Sequence, residues 1–595
     1  LNPEFFAQWA DNLREMMRDD GAREQYAQFF HLEDVKRPVI PGSSLRGMVR
    51  ALVEIVGYGK IQPVADQPKI TFRAVAAASD DPLSKPYKET MRDVKAGYLE
   101  RRGNEWFVRP ARHPTDLGLP GRDHYLKVKD TQELNDSIPG LISFRQEDYR
   151  PQYHRVRFDR ERRYARVQIR GPNSGGRYTG ILVCSGNMAE SGKAASSKRR
   201  NYALVLEPDS QAEAIPIPSQ VIQDYLDSLT DFQKKPPFDE KRGCLIEGNP
   251  VFYLEENGKV IAFGHTPNFR LPAWISDDNG KRVATPLDFV PVHLRKPDQT
   301  DLAEAIFGYV ESQRQEIRPV VCAGRVFFTN ARYESARDGI WLPDKPIALS
   351  SPKPTVFQHY LVQDKEKGHD PDKKQQLAHY ATSPEETAIR GHKLYWHRGD
   401  VSLSNLEEQN PVDWRTDTQH TSIKPVKPGV TFRFRIYFEN LRDFELGALL
   451  WALILPGEPG KDYCHSLGMG KPLGMGAVKI TPTLYLSNRQ ERYARLFSGN
   501  DWHRGEKEEP DMRRFLDAFE RFVLDEMDAQ ERGQARSLKD VERIKMLLTM
   551  LEWPGPDRSL TEYMTIEPVN EYKERPVLPD PLHIAPPPKE VDSSP

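Results

Sequence analysis

The sequence has little cysteine and no long hydrophobic run. Its four cysteines (Cys184, Cys244, Cys322 and Cys464) are far apart, and none belongs to the C-x-x-C pair of a structural zinc site. No apolar stretch approaches the roughly 20 residues that a membrane span needs. The opening residues lack the basic-then-apolar pattern of a secretory signal. The sequence therefore predicts a protein of the reducing cytoplasm, with no disulfide framework and no membrane partner.

An excess of either charge is also lacking. The 595 residues carry 85 Lys and Arg against 87 Asp and Glu, for a formal net charge of −2. A nucleic-acid binder needs local positive charge rather than a positive total, so this balance does not exclude that class. The length allows several domains. Because the chain opens on Leu1 rather than Met, we expect the natural protein to begin further upstream.

Strand patterns outnumber helix patterns, and they do not alternate regularly with helices. This mixture predicts an α+β fold rather than a doubly wound sheet. The apolar and polar periodicities predict strands at 163–170, 177–184, 202–206, 250–254, 260–263, 324–329 and 430–438. Helices are predicted at 4–30, 45–56, 302–313 and 445–455, with two more within 511–551. The Pro-rich tail from 576 is predicted to be disordered.

A turn signal, Pro41-Gly42, precedes Ser43, Ser44 and an amphipathic helix. We expect one of the two serines to cap that helix. Free amide groups at a helix N-terminus attract phosphate, and Arg46 and Arg50, four residues apart, would reach one backbone track. The alternative is an ordinary capped helix with surface arginines, and the residue pattern alone favours that alternative slightly.

Four glycines surround a lysine in the segment Leu467–Ile480. Gly468, Gly470, Gly474 and Gly476 flank Lys471, and such a loop exposes many amide groups to phosphate. Pro472 follows the lysine where a P-loop needs Ser or Thr, and the glycine spacing differs from that of a dinucleotide fingerprint. A strained hairpin is an equally good interpretation.

Cations and aromatic residues alternate in four further segments. Single-stranded RNA needs this combination, because cations hold the backbone and rings stack on unpaired bases. Each segment alone is weak, since Tyr and Trp are more often core residues. The segments are Arg177-Tyr178, Lys198-Arg199-Arg200-Asn201-Tyr202, Phe269-Arg270 and 390–398.

Catalytic patterns are scarce. The sequence has no H-E-x-x-H motif and no nucleophile elbow. Glu33 and Asp34 precede the Pro-Gly-Ser-Ser motif and could hold a divalent metal, such as Mg²⁺, against a nearby phosphate. Two solvated loop acids are the simpler interpretation.

Taken together, these segments resemble the RAMP superfamily of CRISPR-associated proteins. The resemblance covers residues 31–480 and rests on Ile40–Arg50 combined with Gly468–Gly476. Leu302–Gly308 followed by Ala323–Ala331 resembles a segment of type III backbone subunits. Ser351–Thr355, with Lys353, and Phe438–Leu441 suit the subgroup with two backbone-type domains in one chain, as in subtype III-D complexes.

The resemblance implies two ferredoxin-like (RRM-like) RAMP domains with insertions, each with β-α-β-β-α-β order. They are expected at residues 1–165, with a first strand before residue 1, and at 166–490. A helical extension at 491–575 and the tail at 576–595 would follow. In the second domain, Phe263–Arg270, with His265 and Arg270, resembles a degenerate copy of the Pro-Gly-Ser-Ser loop.

In functional terms, the resemblance implies a backbone subunit that binds guide RNA (crRNA) and meets target RNA and other type III effector subunits. Some members cut target RNA with a loop aspartate and a divalent metal. Asp34, with Glu33 beside it, is the candidate in the first domain, and the second domain is either inactive or uses Glu247 or Asp239. The alternatives are a catalytically inactive RNA-binding subunit, a metal-independent nuclease for precursor RNA that uses His31 and His265, and a nucleotide-binding enzyme that uses the glycine loop.

Overall fold

The computed structural model describes most of the chain between residues 29 and 584. The described residues are 29–32, 34, 36–61, 69–75, 77–118, 124–129, 132–142, 151–160, 167–170, 175–184, 201–234, 236–277, 280–295, 299–311, 320–343, 345–348, 356–364, 371–399, 420–562, 564 and 571–584. The predicted helix at 4–30 lies outside this set, apart from its last two residues. Glu33, Lys198, Arg199, Arg200 and Lys353 also lie outside it.

The described strands are mostly short. In chain order they are β1 (Val39–Ile40), β2 (Thr71–Phe72), β3 (Lys95–Arg102), β4 (Glu105–Pro110), β5 (Leu126–Lys129), β6 (Gln152–Arg160), β7 (Val167–Arg170), β8 (Tyr178–Cys184), β9 (Asn201–Leu206), β10 (Ile215–Ile217), β11 (Pro250–Glu256), β12 (Lys259–Gly264), β13 (Leu271–Pro272), β14 (Trp274–Asp277), β15 (Gly280–Val283), β16 (Tyr309–Glu311), β17 (Val320–Cys322), β18 (Val326–Phe328), β19 (Ala331–Ala336), β20 (Lys345–Ala348), β21 (His420–Ile423), β22 (Val430–Arg433), β23 (Ile436–Phe438), β24 (Asp462–Tyr463), β25 (His465–Ser466), β26 (Ala477–Val478), β27 (Tyr485–Ser487), β28 (Phe497–Ser498), β29 (Asp501–Trp502), β30 (Glu506–Glu508) and β31 (Glu552–Trp553).

The α-helices lie between and after these strands. They are α1 (Gly42–Val56), α2 (Ser84–Thr90), α3 (Gln132–Ser137), α4 (Ser219–Asp227), α5 (Leu302–Phe307), α6 (Asp443–Ile454), α7 (Arg489–Ala494), α8 (Arg513–Glu526), α9 (Ala529–Arg532), α10 (Glu542–Leu551), α11 (Glu571–Glu574) and α12 (Pro581–Ile584). All described strand pairs are antiparallel. The predicted α+β class is confirmed.

Four helices pack around α6, and we call their shared interior the helical core. Helix α6 is buried over Glu445–Leu453 because its sequence is apolar on nearly every side. Helix α1 contributes one apolar stripe, including Val49, Val53 and Val56, and α5, α8 and α10 complete the core. Segments far apart in sequence therefore form one unit.

A two-stranded ladder lies against the helical core. We use "the ladder" for β18 and β19 paired with β23 and β22, respectively. The ladder breaks at Thr329–Asn330 on one strand and at Phe434–Arg435 on the other, so the predicted single strand at 430–438 is two short ones. Strand β1, just before α1, pairs with β19 at its other edge.

Strands β3, β4, β10, β11 and β12 form a five-stranded sheet in the order β10-β4-β3-β11-β12. Its two edge strands, β10 and β12, also contact each other, which rolls the sheet into a small barrel. One face encloses a core that includes Leu99, Val108, Val251 and Tyr253, and the following helix α4 covers this core with Tyr225.

A second five-stranded sheet, β5-β9-β8-β6-β7, is inserted between β4 and β10. The chain leaves and re-enters the barrel at one place, where Ala111 bridges Pro208. A central core joins the inserted sheet to the outside of the barrel through Val183, Val205 and Phe252. The start of the predicted disordered tail lies on this core, where Val577 packs.

Two expectations about organisation do not match these pairings. A boundary at residue 165 does not divide the fold, because β6 and β7 pair across it and α1 packs on α6. Among the described residues, no four-stranded sheet of the ferredoxin-like kind forms in either predicted domain. Both patterns depend on contacts between distant segments, which local periodicity does not report.

The predicted helix at 302–313 is also shorter than expected. Helix α5 ends at Phe307, and Gly308 takes a positive φ of 75° before β16 begins. A side chain at Gly308 would collide with the backbone of residues 322–324. The close passage of β17 therefore ends the helix. No helix in the described ranges is long and apolar enough to cross a membrane.

Candidate nucleic-acid interface

Helix α1 begins directly at Gly42, and neither serine caps it. Its N-cap is Pro41, whose side chain cannot accept a capping hydrogen bond, so the predicted serine cap is wrong. The Gly42 amide instead donates to Asn330 Oδ1 at 2.8 Å, which fixes the helix start against the break in the ladder. Ser43 and Ser44 stay exposed beside it.

Arg46 and Arg50 turn away from this exposed end. Arg46 donates to the Phe307 carbonyl and lies 5.7 Å from the centre of that ring. Arg50 donates to the Gly308 carbonyl at 3.0 Å and pairs with Glu54 at 2.8 Å. Burial, and then the charge of Arg50, lower the pKa of Arg46. Cations commonly satisfy the last carbonyls of a helix, so these arginines tie α1 to α5.

The outer face of the ladder carries an exposed aromatic pair. Phe327 and Tyr437 lie directly opposite each other across β18 and β23. Their exposed fractions are 52% and 53%, which is high for large apolar side chains. Their neighbours Val326, Phe328 and Phe438 pack on the helical core. The alternation of a strand thus places two rings on the solvent side.

Three arginines share the exposed side of the ladder. Arg332 lies directly opposite Arg433, and Arg435 comes between Arg433 and Tyr437 along the chain. Arg433 pairs with Glu334 at 2.6 Å, whereas neither Arg332 nor Arg435 forms an ion pair with any described acid. Like charges directly opposite each other in a sheet are destabilising. These opposed arginines therefore do not stabilise the sheet, and their positive charge is suited to an anionic ligand.

Sequence reasoning identified the strand at 430–438 but missed these residues. The available signal was the alternation Arg433-x-Arg435-x-Tyr437, which places two cations and one ring on a single strand face. Phe327 had no comparable signal, because Val326, Phe327 and Phe328 read as one apolar run.

The glycine loop is a hairpin between β25 and β26. All four of its glycines have a positive φ, between 72° and 85°, and the Leu467 amide closes the loop by donating to the Gly476 carbonyl at 2.8 Å. The amides of residues 468–471 have no hydrogen-bond partner among the described residues, and neither does the Lys471 ammonium. The segment is a hairpin in which Gly468 and Met469 are exposed, Gly470 is buried and Lys471 is half-buried, and phosphate binding by it stays a prediction.

The basic and aromatic segment 390–398 runs beside this loop. Lys393 lies 4.9 Å from the Tyr395 ring centre and 6.0 Å from that of Tyr360. His397 bonds the Cys464 carbonyl at 2.9 Å, and the Arg398 side chain packs against Gly474. The segment therefore places Arg398 against the glycine loop, while the exposed Lys393 lies beside the rings of Tyr360 and Tyr395.

The other predicted RNA contacts are scattered. Arg177 is exposed over the Tyr178 ring at 5.5 Å, on the inserted sheet. Arg270 follows the barrel strand β12, next to the buried Phe269. His265 is 5% exposed and packs on Phe238, and burial, followed by the charge of Arg73, lowers its pKa to about 3. The prediction that His265 contacts RNA is wrong, because the ring is buried and neutral.

The predicted acids do not form one site. Asp34 is exposed, and its Oδ1 accepts the Lys36 amide at 2.9 Å in a turn before β1. Glu247 is exposed in the turn before barrel strand β11. No group of three His, Cys, Asp or Glu side chains within the described ranges could hold a metal. Mg²⁺ is commonly held by only one or two carboxylates together with substrate phosphates, so Asp34 could supply one ligand.

The buried state of His265 also bears on the metal-independent nuclease. A general acid needs a proton near neutral pH, and burial lowers the pKa of His265 to about 3. His31 bonds the Phe29 carbonyl at 3.2 Å and has no catalytic partner among the described side chains. No protein-family model matches this chain, and no curated protein matches it either.

Proposed function

We propose that this protein binds single-stranded RNA on the outer face of the ladder, as a guide-RNA (crRNA)-binding backbone subunit of a type III CRISPR effector ribonucleoprotein. The observation that carries the RNA-binding part is the exposed Phe327–Tyr437 pair beside Arg332, Arg433 and Arg435. The CRISPR assignment rests on the sequence resemblance.

The chemistry of the ladder suits unpaired RNA. Base stacking on an exposed ring contributes about 1–3 kcal/mol per base and tolerates any sequence. Neighbouring guanidinium groups attract the phosphates that follow. The start of α1 adds the exposed hydroxyl groups of Ser43 and Ser44 at the edge of the same ladder, where Asn330 holds Gly42.

The order of elements in the helical core supports the RAMP resemblance. Helix α1, the two ladder strands, helix α6 and the β25–β26 hairpin follow one another as helix, strand, strand, helix and strand, with residues 57–325 inserted after α1. With β1 before α1, these elements follow one another in the β-α-β-β-α-β order, and β1 pairs antiparallel with β19 at the edge of the ladder. The glycine loop between β25 and β26 is then a further contact for the same RNA, through its exposed residues Gly468 and Met469 and the neighbouring Lys471.

The first test is whether RNA accompanies the purified protein. We expect a 260/280 nm absorbance ratio above that of free protein, and small RNA after extraction. An Arg332→Glu/Arg435→Glu variant should carry much less of this RNA, while Arg521→Glu, on the exposed side of α8, should keep it. Protein that never carries RNA, or a ladder variant that retains all of it, would argue against the proposal.

Cleavage of target RNA is the second candidate function, and the exposure of Asp34 in the turn before α1 favours it. Guide-loaded protein with Mg²⁺ should then cut complementary RNA, and EDTA should stop the reaction. Asp34→Ala should abolish at least one cut. Glu247→Ala, at the acid before β11, should abolish a different cut if the second predicted domain is also active. Undiminished target RNA after long incubation with metal would leave RNA binding alone.

A further inference from the structure

The barrel of β3, β4, β10, β11 and β12 has a recognisable topology. Taken in chain order as strands one to five, its strand order is 3-2-1-4-5, and strands three and five meet to close it. Successive antiparallel pairings leave these two closing strands parallel. Helix α4 falls between the third and fourth strands, and its Tyr225 lies 4.5 Å from the Phe263 ring of strand five.

This is the arrangement of an OB-fold, a five-stranded barrel with a helix before its fourth strand. OB-folds bind oligonucleotides or oligosaccharides on strands two and three and on the loops that join strands one to two and four to five. Because a fold does not by itself establish a function, the side chains on that face must decide. The inserted sheet lies between strands two and three and re-enters at Pro208, just before strand three.

An aromatic ring occupies the middle of that face. On β4, Trp106 and Val108 enter the barrel core, which turns Phe107 to the outside. The exposed Pro216 of β10 lies directly opposite Phe107 and extends the apolar surface. The outer surface of strands two and three therefore carries the half-buried ring of Phe107 beside the exposed Pro216, and we call this surface the platform.

Cations border this platform at the loop between strands one and two. Arg102 lies 4.5 Å from the Phe107 ring centre, and the exposed Arg101 lies 5.8 Å from that of Trp106. The hairpin from Lys95 to Pro110 carries four cations against two acids. Glu100 pairs with both Arg102 and Arg109, which leaves Arg102 still 53% exposed. The charge around the ring is thus complementary to a phosphate backbone.

We propose that the β4–β10 face of the barrel is a second binding site for single-stranded RNA, separate from the ladder. One base stacks on Phe107 in the position that the Arg102 guanidinium covers, and Arg101 and Arg102 contact the adjacent phosphates. A neutral oligosaccharide, the other class that such barrels bind, has no use for the two cations. The site does not depend on the ladder, because its strands belong to a different sheet and a different core.

Photocrosslinking with peptide mapping tests this site on the full chain. The probe is an RNA of about ten uridines, within the length that one OB-fold covers, with 4-thiouridine at alternate positions. We expect crosslinks on peptides from the β3–β4 hairpin in addition to those from the ladder and the glycine loop. Crosslinks on the ladder alone would overturn the barrel site and leave the proposed function standing. Crosslinks on the hairpin alone would support the barrel site and argue against RNA binding on the ladder.

Substitutions give the quantitative test, with affinity measured by fluorescence anisotropy of the same RNA. Phe107→Leu keeps an apolar side chain but removes the stacking face, so we expect about tenfold weaker binding in a background that lacks the two ladder rings. Arg102→Ala should weaken binding several-fold and reduce the salt dependence. Thermal melting checks that each variant folds.

Arg514 provides a matched control on α8. It lies 4.4 Å from the Phe515 ring centre, pairs with Glu509 at 3.2 Å and is 52% exposed, so it copies the surroundings of Arg102 outside the barrel. Arg514→Ala should leave RNA affinity unchanged. Equal losses in Arg102→Ala and Arg514→Ala, unchanged binding in Phe107→Leu, or salt-independent binding of a neutral oligosaccharide in place of RNA would each refute the barrel site.

Discussion

Two groups of arginines lie on the same structural unit and face opposite ways. Arg46 and Arg50 of α1 point at the carbonyls that end α5, whereas Arg332, Arg433 and Arg435 of the ladder point into solvent. The first group donates hydrogen bonds to backbone carbonyls within the protein, so its positive charge stabilises the fold. The second group has one acidic partner among the described residues, so its charge stays available to a ligand.

The largest expected effect concerns the rings between the outward arginines. Phe327→Ala/Tyr437→Ala should weaken binding of single-stranded RNA about 100-fold, because two bases lose their stacking partners. The control is Phe497→Ala/Trp502→Ala, a stacked and exposed pair 4.7 Å apart on the β28–β29 hairpin. Anisotropy titrations that show the same loss in both variants would remove the distinction between the ladder and other exposed aromatic residues.

The inward group should behave in the opposite way. Arg46→Ala should lower the free energy of unfolding by about 2 kcal/mol, since a charged hydrogen bond to the α5 carbonyl is lost and that acceptor is left unsatisfied. RNA affinity of the folded protein should stay unchanged. Urea denaturation and anisotropy on the same preparation measure both quantities. A large affinity loss with normal stability would place Arg46 on the RNA after all.

His265 is a third basic side chain that, like Arg46 and Arg50, faces the interior of the protein. Its folded pKa of about 3 lies below the ordinary value of 6.5, so the unfolded chain takes up a proton first as the pH falls. Stability should therefore be complete above pH 6.5 and decline toward pH 3, with His265 accounting for roughly 2 kcal/mol at pH 5. Urea titrations of wild type and His265→Phe at pH 7.5 and pH 5 check this. An equal acid loss in both would show that other groups carry it.

The smallest expected effect is that of a single outward arginine. Arg332→Ala should reduce RNA affinity several-fold and lower the slope of log K against log salt by about 0.7, the value for one phosphate contact on a single strand. Stability should stay the same or rise slightly, because Arg332 and Arg433 no longer face each other. A clear loss of stability would mean that Arg332 belongs with the inward group.

The local elements were largely predictable. Strands β9, β11 and β12 and helices α6, α8 and α10 lie where apolar periodicity places them, within a few residues at each end. Their own residues decide these elements, because a buried face repeats every two or 3.6 positions. The α5 helix departs from its pattern because β17 passes too close to Gly308, and that contact depends on residues far along the chain.

The candidate site was predictable only in part. The glycine density around Lys471 indicated a tight loop, and the structure has one there, since few other residues adopt four positive φ values so close together. The Pro-Gly-Ser-Ser motif correctly located a helix start, but its arginines were assigned to the wrong neighbour. Nothing local to Arg46 reveals that Phe307, 261 positions away, ends a helix beside it.

By itself, the sequence determined the α+β class, the positions of most helices and strands, and the charge and aromatic content of each segment. Only the tertiary structure decided which of those charges face solvent, because a guanidinium group goes wherever unsatisfied acceptors lie. It also decided that β12 returns to β10 and closes a barrel around an inserted sheet. Strand closure joins residues that share no local pattern, so chain order alone does not reveal it.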